Sequence, residues 1–232
     1  MKISGILLDL DNTIYEYEPL HKIALQRSIE YIAKVANIDS YAALEYFTKA
    51  RKFVNQSLCN TASCHNRLLY FQKLFELLNI NTMNYALDSY NVYWNATLDG
   101  LVLDRDAEYF LQSIKSQNIK ICVVTDLTAH IQFRKIEKLK LAKYIDYIVT
   151  SEEVGAEKPD SKMFELALEK LNLNKNEVCM VGDNYKKDCL GANESGILSF
   201  WYNRKDKAIK IKDNIIEVRS LSRIVEYIKK WN

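Results

Sequence analysis

The sequence predicts an α/β protein, a doubly wound parallel sheet interrupted by a helical insert, and three observations carry that expectation. A short apolar run, Ile6-Leu7-Leu8, ends abruptly in two aspartates, Asp9 and Asp11, as a buried parallel strand does at its ligand-binding end. From Asp104 onward, helical and extended textures alternate in units of βαβ crossover length. Between the two lies a long stretch of helical periodicity without strand-like runs.

The elements follow in order. Residues 21–36 place Ala24, Ile29, Ile32 and Val35 near helical spacing, and residues 41–54 repeat the theme with Ala43, Leu44, Phe47 and Ala50. Asn66 can cap a third helix with the stripe Leu69, Leu74, Phe75 and Leu78, which Asn79 stops; a fourth helix is expected over residues 85–96. The alternating part then predicts helices over 104–117, 130–139, 161–171, 189–194 and 222–231. Strands are expected over 120–125, 145–150, 178–182 and 197–202, with a last extended run over 215–218, so at least five strands are parallel. Pro19 and Gly100 supply turn chemistry at the edges of the helical block. The expected division is an α/β core of residues 1–15 and 101–232 and a helical cap of residues 16–100, inserted where it could cover the carboxyl edge of the sheet as a lid.

Composition narrows the class. With 232 residues, 48% of them apolar, the chain can bury a substantial core. Its 32 basic and 30 acidic residues are interspersed, which gives no support for a nucleic-acid or membrane partner. No apolar run approaches the length of a membrane span, and the amino-terminal apolar run meets Asp9 too early for a secretory signal. Five cysteines in a chain of this size fit a reducing, cytoplasmic setting, and Cys122 and Cys179 fall in core strands. Cys59, Cys64 and His65 match no strong zinc-ligand spacing. The tyrosines read with the cap, Tyr15, Tyr17, Tyr46, Tyr70 and Tyr93, are expected to pack helix faces, while Arg51, Lys52 and Arg67 read as solvated.

Four places put polar groups at predicted strand ends: Asp9 with Asp11, Thr125, Lys158 beside Pro159, and Gly182-Asp183-Asn184 with Asp188 beyond. Asp9, Asp11 and Asp183 would repel one another unless a cation lay between them, and such hard oxygen ligands favour Mg²⁺. A lysine and a threonine hydroxyl are then left to hold an anion, for which a phosphate suits the charge and donors. Phosphoryl transfer needs positioning, charge neutralisation and an in-line nucleophile, and Asp9 can supply the last.

These residues carry a family resemblance. Asp9-Leu10-Asp11-Asn12-Thr13, Thr125, Lys158-Pro159 and Gly182-Asp183 with Asp188 resemble, in order, the four motifs of the haloacid dehalogenase-like superfamily, in the subfamily whose small helical cap follows the first motif. The resemblance implies a Rossmann-like core and a two-step hydrolysis, in which Asp9 takes up the phosphoryl group. Asp11 would protonate the leaving oxygen and later deprotonate water. It further implies Mg²⁺ held by Asp9, the Asp11 carbonyl and Asp183, with Lys158 and Thr125 on the phosphate and Asp188 in support. Asn184 is a lesser contributor, and Asp126 joins Thr125 in the phosphate loop where many relatives carry a small residue. Relatives that cleave carbon–halogen bonds lack the second aspartate, so Asp11 points to a phosphatase of small phosphorylated metabolites, such as nucleoside monophosphates or sugar phosphates. The alternatives are a phosphomutase of the same superfamily and a phosphometabolite-binding protein without turnover.

Overall fold

The computed structural model describes residues 2–59 and 61–232, which form two compact units, one of residues 2–16 and 102–232 and one of residues 17–59 and 61–101.

The first unit is built on six parallel strands: β1 (Gly5–Leu8), β2 (Lys120–Thr125), β3 (Tyr147–Thr150), β4 (Val178–Gly182), β5 (Leu198–Tyr202) and β6 (Ile215–Val218). Their order, β3-β2-β1-β4-β5-β6, reverses direction between β1 and β4, and ligands of doubly wound sheets collect at the carboxyl side of such a switch point. The strands form because short apolar runs are buried on both faces; β1, β4 and β5 are buried at every position. On one face Leu7, Cys122, Val124, Val149 and Met180 pack against Met163, Phe164, Ala167 and Leu171. Alternation along β2 leaves Ile121 and Val123 on the other face, equally buried. Burial pushes the Cys122 and Cys179 thiols up to about 12, so both are inert core residues at neutral pH.

The second unit is a helical bundle. Its helices are α1 (Tyr17–Ala36), α2 (Ser40–Ser57), α3 (Arg67–Leu77) and α4 (Ala86–Asp99), with α1 packed on α2 and α4, and α3 on α2 and α4. Asn66 caps α3 as expected, accepting from the Leu68 N–H. Helix α1 starts earlier than predicted, because Pro19 falls inside its first turn, where a missing N–H costs nothing. Phe47, Tyr70, Phe71, Phe75, Tyr93 and Trp94 fill the interior. Arg67 is not solvated as expected. Its guanidinium lies 5.6–5.7 Å from the ring centroids of Tyr70, Tyr93 and Trp94 and donates to the Tyr17 hydroxyl at 3.0 Å. The Tyr17 and Tyr93 hydroxyls are 2.7 Å apart, and His21 Nδ1 meets Tyr93 at 2.6 Å. Burial, then the charges of Arg67 and Arg51, lower the His21 pKa to about 4, so this chain ends on a neutral imidazole.

In the first unit the sheet is flanked by α5 (Arg105–Ser116), α6 (Ala129–Lys138), α7 (Ser151–Val154), α8 (Ser161–Leu171), α9 (Gly191–Glu194) and α10 (Leu221–Trp231). Asp160 is the N-cap of α8 and accepts from the Lys162 N–H, and the Lys158-Pro159 bond before it is cis. One detail differs from expectation. The helix expected from residue 189 begins at Tyr185, as a π-helical turn (Tyr185–Leu190) that runs into α9. No described helix is long and apolar enough to cross a membrane.

Candidate active site

β1 ends at Leu8, so Asp9 emerges at the switch point, hydrogen-bonded through its main-chain N–H to Val181 O of β4. Its carboxylate is held from two sides: Lys158 Nζ donates to Oδ1 at 2.7 Å, and the Thr13 hydroxyl donates to Oδ2 at 2.8 Å. Thr13 also accepts from the Asp183 N–H at 3.1 Å, which ties the loop after β1 to the end of β4. Lys158 is 3% exposed and spans three groups, lying 2.7 Å from Asp188 Oδ1 and donating to Val124 O at 2.9 Å. Carboxylate oxygens of Asp9, Asp183 and Asp188 all lie within 4.8 Å of one another. Three of the four predicted strand-end positions thus meet directly. The fourth, Thr125, ends β2 one residue beyond the carbonyl that Lys158 holds.

The electrostatics follow from crowding anions in a buried place. Burial, partly offset by Lys158 and reinforced by Asp188 and Asp183, holds the Asp9 carboxyl well above the usual carboxylate range. Burial and then Asp188 push Asp183 up to about 7. Burial opposes the Lys158 charge, but Asp188 and Asp9 outweigh it and raise its pKa. With all three carboxylates ionised, the Lys158 ammonium paired with two of them would by itself leave two formal negative charges, the amount a divalent cation carries. Asp188 Oδ1, though at ion-pair distance from Lys158, is buried without an aligned hydrogen-bond donor. A hard-oxygen cluster with an orphaned acceptor and excess negative charge fits Mg²⁺.

The remaining predicted residues have partners that refine their roles. Asp126 does not turn its carboxylate to an anion: Lys187 pairs with Oδ2 at 2.7 Å and the Lys158 N–H donates to Oδ1 at 3.0 Å, so the side chain staples the motif loops together. The Asn184 side chain caps the π-helical turn, accepting from Lys186 and Lys187 N–H, and is therefore engaged locally. Asp188 Oδ2 accepts from the Asn184 N–H at 2.9 Å. The Asp11 carboxylate is held by groups other than those that hold Asp9, and its charge adds to those that raise the Asp183 pKa. Lys135 Nζ donates to both its oxygens at 2.8 Å, and the Tyr15 hydroxyl donates to Oδ1. Thr125 accepts from Gln132 Nε2 at 2.6 Å and donates to Asp126 O at 3.2 Å.

Sequence reasoning missed Thr13 as a bridge, Tyr15 as a donor to Asp11, and Gln132, Lys135 and Lys187 altogether. A signal existed for two of them. Ile131, Gln132, Lys135 and Ile136 form the buried stripe of α6, so a glutamine and a lysine stand at apolar positions of an amphipathic helix. Gly182 has a reason of its own: a Cβ there would lie 2.3 Å from Asp188 Oδ2. Gly182→Ala is therefore expected to push Asp188 off Lys158 and to cost about 1–3 kcal/mol of stability, read from the urea midpoint.

Comparison with known proteins supplies the family. Residues 3–196 match the family model described as haloacid dehalogenase-like hydrolase. The chain is 34% identical over 207 residues to ribulose-1,5-bisphosphate 5-phosphatase of Halopiger xanaduensis, covering 88% of this chain and 87% of that one. It is 29% identical to the pyrimidine 5'-nucleotidase YjjG of Escherichia coli, over 88% and 87% of the two chains. Among solved structures, a HAD phosphatase from Thermococcus onnurineus superposes with a TM-score of 0.76 at 24% identity, covering 98% of each chain. A 2-haloacid dehalogenase from Pseudomonas syringae pv. tomato gives 0.82 at 20% identity, covering 99% of this chain and 100% of that one; at such identity these likenesses speak for the fold. The chain belongs to the haloacid dehalogenase-like hydrolases and is an enzyme of that class.

Proposed function

We propose that the protein is a Mg²⁺-dependent phosphatase that hydrolyses a small phosphorylated metabolite through an aspartyl-phosphate on Asp9. The observation that carries this reading is the grip on Asp9, with Lys158 on one oxygen and Thr13 on the other. Each oxygen keeps a lone pair, so the carboxylate is aimed without being consumed. Asp9 attacks phosphorus as the bond to the leaving oxygen breaks, and Asp11 gives that oxygen its proton. Asp11 then takes a proton from the water that attacks phosphorus, which frees the Asp9 carboxylate and inorganic phosphate. Lys158 balances the charge gathering between Asp9 and the phosphoryl group, and the Thr125 hydroxyl, held by Gln132, would turn its proton from Asp126 O to a phosphoryl oxygen. A Mg²⁺ ion held by Asp9, Asp183 and the Asp11 carbonyl would neutralise the phosphoryl oxygens.

The relatives named for a sugar bisphosphate and a pyrimidine nucleotide support sugar phosphates and nucleoside monophosphates as the first substrates to try. The test is phosphate release from a panel of both classes, with Mg²⁺ and with a chelator. Release that needs the metal supports the proposal, and no release from any member overturns it.

A pH dependence follows from Asp183. Its folded pKa of about 7 lies above the unfolded value, so the metal-free folded state holds a proton that the unfolded chain has lost. Stability from this group is full below the unfolded pKa and declines as pH rises through about 7. Asp183 would have to give up that proton to hold Mg²⁺, so the rise in Tm on adding Mg²⁺ is expected to be larger at about pH 8 than at about pH 6.

A further inference from the structure

Lys135 projects from α6 with 1% of its surface exposed, yet no apolar role uses its ammonium group. Nζ is 2.8 Å from both oxygens of Asp11, and Tyr15, itself fully buried, adds a third hydrogen bond to Oδ1. An anchor for α6 would be made more cheaply by an apolar side chain such as its neighbours Ile131 and Ile136, because burying an ammonium costs free energy that ion pairing barely returns. One turn earlier on the same face, Gln132 holds the Thr125 hydroxyl at 2.6 Å. The buried side of α6 thus sends one polar group to each of two site residues.

From this we infer that Lys135, with Tyr15, is a positioning residue that fixes the direction of the Asp11 carboxylate for proton transfer to the leaving oxygen. The inference rests on the assignment of Asp11 as acid and base given above. Lys135 donates to both oxygens and Tyr15 donates to Oδ1 from a second direction, so the two donors together set the plane and the direction of the carboxylate. Without Lys135 two of these three hydrogen bonds are lost, and a misaimed acid loses its rate advantage even though the group is still present.

The test compares kcat/KM for an alkyl phosphate, whose leaving oxygen needs a proton, with that for p-nitrophenyl phosphate, whose leaving group needs little help. This ratio isolates the first phosphoryl transfer, and a merely structural defect moves both substrates alike. Lys135→Met is expected to lower kcat/KM for the alkyl phosphate about tenfold or more while changing the aryl phosphate less than about threefold. Lys135→Arg, which keeps a charged donor, is expected to recover much of the loss. Should Lys135→Met fail to fold, Tyr15→Phe removes only a hydroxyl and is expected to shift the same ratio in the same direction.

Asp11→Asn separates the two readings. If it slows the alkyl phosphate selectively while neither Lys135→Met nor Tyr15→Phe does so, the role of Lys135 is overturned and that of Asp11 stands. If Asp11→Asn itself leaves the ratio unchanged, the acid assignment falls and this inference with it. Adding Lys135→Met to Asp11→Asn is expected to cause no further selective loss, since the lysine acts through the carboxylate; a second, full loss contradicts the inference.

Discussion

Replacing Asp9 by asparagine is expected to lower kcat by about 10⁴-fold or more while the protein stays folded. The amide keeps the size of the carboxylate and can still meet Thr13, but it cannot form the acyl-phosphate. The fold survives for an electrostatic reason. Asp9 is one of three clustered carboxylates whose burial and mutual repulsion hold its pKa high, so removing one charge relieves strain, and Lys158 retains Asp188. The urea midpoint of the metal-free variant should therefore equal or exceed that of the parent, while phosphate release disappears. A variant retaining a tenth or more of the parent kcat would rule out Asp9 as the nucleophile.

Lys158→Met is expected to cost both activity and stability, and more stability than any other substitution in the site. Lys158 is buried between Asp9 and Asp188 at 2.7 Å from each, and truncating one member of a buried charged cluster costs about 3–5 kcal/mol because the partners remain unpaired. The pH dependence has a definite sign. Lys158 has a raised folded pKa, so its contribution is fully present below the unfolded value and is lost only as pH rises through the folded one. Across the neutral range the lysine itself is constant, and what changes is the state of the carboxylates it leaves behind. As pH falls they protonate and the penalty shrinks, so the gap in urea midpoint between parent and variant should narrow between about pH 8 and about pH 5. Activity should fall as well, since losing the ammonium removes the influence that lowers the Asp9 pKa and leaves the nucleophile more often protonated. A gap that widens toward acid would contradict the role given to Lys158.

The sheet was legible because its strands are short apolar runs broken by polar or glycine residues. Residues 120–125 and 178–182 are strands at their expected limits, and the fold class is that of a doubly wound α/β protein. Expectation failed where one residue type has two uses. Pro19 was taken for a break but is tolerated in the first turn of α1, and the helix after β4 starts early because Asn184 caps a π-helical turn that periodicity does not reveal. In the site, residues that announce themselves by position at strand ends, Asp9, Lys158, Asp183 and Asp188, could be named from the sequence, and they lie within one side chain's reach of each other. Their supports could not. A lysine on an amphipathic helix reads as solvated unless the helix face is known, and the partner that makes Lys135 intelligible lies 124 residues away at Asp11. Asp126 shows the converse: its place beside Thr125 suggested the phosphate loop, whereas Lys187, 61 residues on, takes its carboxylate.

The central claim is that Asp9 becomes phosphorylated in each turnover. The most direct measurement is a rapid acid quench of the enzyme with a ³²P-labelled substrate and Mg²⁺, followed by mapping of the label among its peptides. The account requires a hydroxylamine-labile phosphoryl group on the peptide containing Asp9, absent from Asp9→Asn and chased by unlabelled substrate at the rate of turnover. Label on another residue, or turnover at full rate with no labelled protein at any quench time, would contradict it.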